Sequence, residues 1–563
     1  MATATEVKPI PVVNNVITDE EVLYSSEKQN KGVHSRFVPV SAAKTHKLLC
    51  DKHSVGLVER HVRAIDRLTK YFNCGFHMKD VEIITDMLLV CAERFTLNSQ
   101  YEKPLCQLIQ VCGFPFLKEK SSDEGIYAEL IVHLLTQLGK FLNLYNMYIK
   151  CNLVRVPSSN VRLVLCESLT SLFCGQSQQK MIDDYQVPSL SYTGQLVEVS
   201  GIARILVESL ELLDDTSLKV EVMRVLQHYS CSDEQFEGNF NLFSLVLNCD
   251  DMLTVGAAGI ICSGLDREDP SGRLIFLSVE ILWNLVEHGS KSVVADQLNC
   301  KECISALKNS FVNQIKFGYS HSDRQLRNDL LLFSLLVASS CPNAPFVETG
   351  YLKLLVLFAT FTEVKSHNEL VRNLKLYQNH EDFELKKLLM HLMVILSSDA
   401  TSTNIISEGR VLLSLFSYVR PNDNPPSTEW SPAQFEELQL QALDALATIG
   451  PLCIDDYMTC QGNTRLLMLL EWCVGQVDYG GHGNSFHGSG GRGNKRAQMR
   501  FCLRLLRSIC SVGDDLVNQD MVDQGAIDQL VGILLNASTS TDDNDLVDIE
   551  MQCDMLFYND MWF

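Results

Sequence analysis

From about residue 46 onward, apolar side chains recur at three- and four-residue spacing. Representative stretches are VEIITDMLLVCAERF from Val81, ELIVHLLTQLGKFLNLY from Glu129 and SVEILWNLVEHGS from Ser278. That period places the apolar groups on one face of a helix, while the two-residue alternation of half-buried strands is nearly absent. The pattern predicts an all-α chain. Its longest apolar runs, Leu330 to Ala338 and Leu352 to Phe361, fall short of the roughly 20 residues that a membrane-spanning helix needs.

A longer-range pattern is superimposed on the helical one. In five places an apolar helix end runs into glycine and a new Leu-rich helix follows: VEVSGIARILVESL, FVETGYLKLLVLF, IISEGRVLLSLFSYV, MTCQGNTRLLMLLEW and MVDQGAIDQLVGILL, pivoting on Gly201, Gly350, Gly409, Gly462 and Gly525. Four residues before each glycine stands Val197, Phe346, Ile405, Met458 or Met521, and six after it Val207, Val356, Leu415, Met468 or Val531. Glycine can take the left-handed conformation that ends one helix, and the flanking apolar groups can then pack across the corner. The last three intervals, 59, 53 and 63 residues, exceed the roughly 40 to 47 of armadillo or HEAT units. Insertions near 420–434 and 478–494 supply the excess, and the 149 residues from Gly201 to Gly350 leave room for degenerate units around Ser278 to Phe311 without a pivot glycine. These intervals predict an armadillo/HEAT-like α-solenoid, a right-handed superhelix of helical repeats. The array is expected over 46–540. A polar, proline-bearing mobile leader is expected over 1–45, and an acidic, incomplete terminal repeat over 541–563. That last stretch starts an amphipathic helix and then stops, which reads as a C-terminally truncated form because solenoids need a polar cap.

Composition narrows the chemistry. With 47 basic and 69 acidic residues the net charge is −22, which disfavours nucleic acid and anionic membranes as main partners. The first residues, MATATEVKPIPVVNNV, lack a basic segment followed by an apolar one, so an intracellular, cytoplasmic location is expected. Twenty cysteines lie singly along apolar segments, as small hydrophobes in a reducing compartment would. The one Cys-x-x-Cys, Cys300 to Cys303, has no second pair at zinc-ligand spacing, and HExxH is absent. The run Gly488 to Gly493 is glycine-rich but has neither a preceding strand nor Gly-Lys-Ser/Thr. No catalytic, cofactor or metal site is expected.

The strongest electrostatic feature is RAQMRFCLRLLRSIC from Arg496. At 100° per residue Arg496, Arg500, Arg504 and Arg507 share an arc of roughly 80° opposite Phe501, Cys502, Leu505, Leu506 and Ile509. Together with Arg492 and Lys495 they make six basic residues with no acidic one between them. Such a ridge is either a solvated stripe neutralised by neighbouring carboxylates or a docking site for an acidic partner, for which arginine is suited. Acidic tubulin tails would qualify.

The stretch HGNSFHGSGGRGNKRAQMR from His482 is joined by CGFPFLKEK from Cys112, DPSGRLIFLSVEILWNL from Asp269, SHSDRQLRND from Ser320, FATFTEVKS from Phe358, EDFELKKLL from Glu381 and EELQLQALDALA from Glu436. On these stretches the chain resembles the cilia- and flagella-associated protein 69 family, armadillo-type proteins of motile cilia and sperm flagella. The resemblance implies a non-enzymatic axonemal protein associated with the central apparatus, needed for flagellar assembly, stability and beating, notably in sperm, and linked to olfactory cilia. It implies partners among central-apparatus projection components. Family members run on beyond this C-terminus, and the leader shows little similarity. The competing expectation is a soluble armadillo adaptor that binds extended peptides in its concave groove. Tryptophan occurs only at 283, 430, 472 and 562, with no ladder at the repeat period.

Overall fold

A computed structural model describes residues 41–72, 75–150, 159–174, 181–182, 184–230, 242–269, 271–372, 374–421, 430–474 and 495–537. Most of the expected leader, the terminal repeat over 541–563, residues 422–429 of the first insertion and all of the second lie outside these. The first helix opens at Ala42, within the stretch assigned to the leader.

The amino-terminal helices are α1 (Ala42–Cys50), α2 (Val58–Tyr71), α3 (Val81–Leu97), α4 (Glu102–Cys112), α5 (Asp123–Lys150) and α6 (Ser159–Cys174). Then come α7 (Leu190–Ser200), α8 (Ile202–Leu210), α9 (Thr216–Ser230), α10 (Leu242–Thr254), α11 (Ala257–Cys262), α12 (Arg273–His288), α13 (Lys291–Leu298), α14 (Lys301–Phe317) and α15 (His321–Ser340). The rest are α16 (Tyr351–Thr360), α17 (Glu369–Arg372), α18 (His380–Leu396), α19 (Ala400–Glu408), α20 (Val411–Phe416), α21 (Pro432–Ile449), α22 (Ile454–Thr459), α23 (Gly462–Val474), α24 (Lys495–Cys510), α25 (Asp515–Asp523) and α26 (Ala526–Ala537). Strand among the described residues is confined to two short pairs, β1 (Phe76–His77) parallel to β2 (Phe116–Leu117) and β3 (Met181–Ile182) antiparallel to β4 (Tyr185–Gln186).

The helices stack in chain order as two layers. In one, α2, α4, α6, α9, α12, α15, α18, α21 and α24 each pack on the next. In the other, α1, α3, α5, α8, α11, α14, α16 and α20 do the same, and α22 carries the contact on to α23 and α26. The short helices α7, α10, α13, α19, α22 and α25 sit at the corners. A single apolar core runs between the layers from Ala42 to Ile533. Each unit buries its apolar face only against its neighbours, which defines an α-solenoid.

The corners explain the repeated phrase and correct it. Gly201, Gly350 and Gly525 are left-handed, with φ of 62°, 70° and 84°. Gly409 is right-handed at φ −76° and its neighbour Arg410 takes the turn at φ 59°. Gly462 opens α23, and Gln461 turns at φ 56°. A sixth corner that the repeated phrase did not pick out lies at Gly256, φ 80°. In all six the turning residue's N–H donates to the carbonyl three residues earlier at 2.9–3.1 Å. Counted from the true turning residue, the register is uniform. The fourth residue before it (Val197, Met252, Phe346, Ile406, Tyr457, Met521) and the fifth after it (Leu206, Ile261, Leu355, Leu415, Leu466, Leu530) are buried every time. Counting from glycine at 409 and 462 instead picks the half-buried Ile405 and Met458 and the 58% exposed Met468, and six residues after Gly525 stands Val531, 42% exposed, because the buried position is the fifth. The unit around Ser278 to Phe311 has no left-handed residue between α13 and α14, where Asn299 has φ −78°, in keeping with its missing glycine.

Local signals end the insertions. Ser431 and Gln434 form a reciprocal capping box with Pro432 at the first helical position, so α21 starts within the stretch expected to be loop.

Candidate docking surfaces

On α24 the predicted faces separate as the helical period requires. Cys502, Leu505, Leu506 and Ile509 are buried and Phe501 is half-buried, while Arg496, Arg500 and Arg507 are half-buried and Arg504 is exposed. Arg504 Nη1 lies 3.1 Å from Asp444 Oδ1 on α21, both groups facing water, so one ridge position is matched by a carboxylate of the next helix. Arg492 lies outside the described residues, and of Lys495 only the backbone is described. The ridge therefore lies along the partly exposed side of α24, where α24 packs on α21.

The cysteines behave as packing groups. All those described are free thiols, and all but Cys50, Cys300 and Cys460 are buried. Burial pushes Cys91 and Cys112 up to about 12, far from the thiolate form that reacts or binds metal. The Cys-x-x-Cys spacing has a structural account: Cys300 Sγ caps α14 by accepting the Cys303 N–H at 3.4 Å, and Cys303 Sγ donates to the Gly259 carbonyl of α11 at 3.4 Å. Among the described residues no group of three or more His, Cys, Asp or Glu could hold a metal ion, and no helix is long and apolar enough to cross a membrane.

Sequence reasoning missed the buried charge. Arg327 on α15 and Asp382 on α18 pair at 3.1 Å with almost no exposure, and Arg327 also donates to Asn328 Oδ1 and the Glu381 carbonyl. Lys386, Glu363, Ser414 and Tyr418 form a second network. Neither is visible as a spacing, because the partners lie 23 to 55 residues apart. Asp329 on α15 is a third case: burial pushes its carboxyl up to about 6 although the Trp283 indole bonds to it. An unfolded aspartate ionises near pH 4, so between about pH 4 and 6 the folded chain holds a proton that the unfolded chain has released. Stability then falls as pH rises through that window. Asp329→Asn keeps an acceptor for Trp283 and is expected to flatten this slope and raise the melting temperature at neutral pH by about 2 °C. Melting curves across pH check this, and an unaltered slope would mean that Asp329 ionises normally.

Sequence reasoning also missed a concavity of about 630 Å³ where α14 turns into α15. Its walls include Lys316, Phe317 and Tyr319 at the turn, and Arg372, Lys375 and Tyr377 from the segment joining α16 to α18. No local motif announces it, since the two walls are about 50 residues apart in the chain and meet only through α15 and α18.

A family model described as "Cilia- and flagella-associated protein 69, ARM repeat" matches residues 40–559. Cilia- and flagella-associated protein 69 of Homo sapiens is 40% identical over 549 residues, covering 97% of this chain and 54% of that protein. The proteins of the same name from Papio anubis (40%, 97% and 54%) and Mus musculus (39%, 98% and 55%) are alike. The chain thus spans about half the length of the curated relatives it matches. Solved structures similar to it include a chain from work on the phosphorylation switch between cadherin and beta-catenin, at 12% identity and TM-score 0.45, covering 91% of this chain and 81% of that one. SYS-1 aligns at 13% identity and TM-score 0.29, with 92% and 86% covered. With the family model spanning every described helix and the relatives aligned over 97–98% of the chain, the chain belongs to the cilia- and flagella-associated protein 69 family of ARM-repeat proteins.

Proposed function

We propose that this chain is a non-enzymatic structural scaffold of the motile-cilium and sperm-flagellum axoneme, associated with the central apparatus. It supports flagellar assembly, stability and motility by holding other axonemal proteins on a repeated helical surface. The observation that carries this reading is the same six-fold corner geometry running through a member of a ciliary ARM-repeat family: a stiff array with broad side-chain surface suits binding. The partners are central-apparatus projection components and acidic tubulin tails. Detergent extraction of demembranated cilia or sperm, followed by immunogold labelling of cross-sections, tests it. Label retained at the central pair supports the scaffold, and label only in the soluble fraction replaces it with an adaptor.

Within this reading the arginine ridge of α24 is a contact surface for acidic partners. Reversing Arg496, Arg500, Arg504 and Arg507 to Glu is expected to weaken axonemal retention severalfold while leaving the circular dichroism spectrum unchanged. The Arg504–Asp444 pair faces water, so its loss costs at most about 1 kcal/mol. Unchanged retention would remove the ridge from the functional account.

A further inference from the structure

The concavity at the α14–α15 turn combines three features found together nowhere else among the described cavities. First, its walls are fastened. The Arg327–Asp382 pair, with Asn328 Nδ2 donating to the Glu381 carbonyl at 2.8 Å, ties the start of α18 to α15 beneath it. Asp382 also accepts the Tyr377 N–H at 2.9 Å, which holds the far wall. Removing either charge of such a buried pair is strongly destabilising, so the cavity is a pre-formed shape.

Second, its charge is opposite to that of the chain. Five basic and two acidic residues line it, a surplus of three in a protein of net charge −22. Arg327 is satisfied by Asp382, whereas Lys316, Arg324, Arg372 and Lys375 have no carboxylate partner among the described residues. Arg324 donates to the uncharged Tyr319 carbonyl at 3.0 Å, which leaves its charge unneutralised. Glu369 is the one remaining carboxylate in the lining.

Third, its rim is aromatic. Phe317, Tyr319 and Tyr377 are 72%, 75% and 56% exposed, although most large apolar groups of the chain are buried. Aromatic and arginine side chains around a pre-formed hollow are the usual composition of a binding hot spot.

We propose that this cavity binds an acidic, extended peptide segment of a protein partner. Carboxylates of the segment pair with Lys316, Arg324, Arg372 and Lys375, and one aromatic or leucine side chain inserts among the rings. The hollow seats a side chain rather than a helix. Nucleic acid is disfavoured because the cations ring one hollow instead of tracking a strand, and the rest of the surface repels phosphates. The site would supply one of the protein contacts that the scaffold reading requires, but it is defined on the isolated chain.

The test is fluorescence polarisation of a labelled glutamate-rich peptide with one central tyrosine against the full chain. The expected result is saturable, salt-sensitive binding that weakens at least about tenfold in Lys316→Glu/Arg372→Glu/Lys375→Glu and in Tyr377→Ala. All four positions are exposed, so melting should be unchanged. In the α24 ridge variant, which lacks the other surface assigned to acidic partners, the peptide should still bind saturably and should lose that binding when the cavity changes are added. Equal binding by parent and cavity variants would overturn the proposal, as would an oligothymidylate that binds more tightly than the peptide and is lost in the same variants. Axonemal labelling that fails leaves the peptide result standing, so the two readings fail separately.

Discussion

Replacing Lys386 by Met is expected to destabilise the α16–α21 region by about 3–5 kcal/mol. Lys386 on α18 is 1% exposed, and its Nζ donates to Glu363 Oε2 at 2.6 Å, the Ala359 carbonyl at 2.7 Å and the Phe361 carbonyl at 2.6 Å. An ammonium has three N–H groups, and all three are used. Glu363, itself 8% exposed, also accepts from Ser414 Oγ at 2.9 Å and from the Tyr418 hydroxyl. The network thereby ties the segment after α16 to α18, α20 and the turn that follows it. Methionine fills the volume but cannot donate, so a buried carboxylate and two carbonyls lose their main partner. Adding Glu363→Gln removes the stranded charge and should recover a good part of the loss. Hydrogen exchange in urea across residues 351–421 reads the effect where it arises, because repeat arrays lose two-state cooperativity. A drop below about 1 kcal/mol would mean that water reaches Glu363 once Lys386 is gone.

The second large effect separates glycines that look alike in sequence. A Cβ at Gly409 would stand 2.0 Å from Val356 Cγ1, and one at Gly462 would stand 2.4 Å from the Tyr457 ring. Gly409→Ala is therefore expected to cost about 1–3 kcal/mol through overpacking. Combining it with Val356→Ala should cost clearly less than the sum of the two single changes. At Gly201 nothing lies within 4 Å of the added carbon, and the penalty comes only from φ 62°. Gly201→Ala should cost about 1 kcal/mol, with no neighbour that rescues it. Arg410→Gly, which places glycine at the left-handed residue of its own corner, should stabilise by about 0.5–1 kcal/mol. Urea midpoints for the set check the assignment, and equal costs at Gly201 and Gly409 without rescue by Val356→Ala would remove the distinction.

The repeated phrase was legible because a helix corner needs apolar anchors on both sides and glycine is the cheapest way to turn. Its register was one residue off at two corners. Glycine has two uses, turning the chain and admitting a neighbour, and both look the same in sequence. At 409 and 462 the second use prevails: α16 crowds the first position and the Tyr457 ring the second, so Arg410 and Gln461 turn instead. The α24 faces were read correctly from period alone, since a helix against a core has one buried side whatever its neighbours. Asp444 opposite Arg504 could not be read, because the two residues lie 60 positions apart and meet only where α21 packs on α24.

What this sequence determined by itself is what is local or periodic: helices from the 3.6-residue recurrence, the neighbourhood of the corners from glycine and its flanks, and the family from ordered stretches of residues. Tertiary structure alone decided which residue turns each corner, where Arg327 and Lys386 find their carboxylates, and that cations and rings from two distant segments surround one hollow. The division has a physical cause. Backbone conformation and helix amphipathicity act over a few residues, so they leave a mark at fixed spacing. Burial of charge and steric contact act between surfaces that stacking brings together, at separations no spacing encodes.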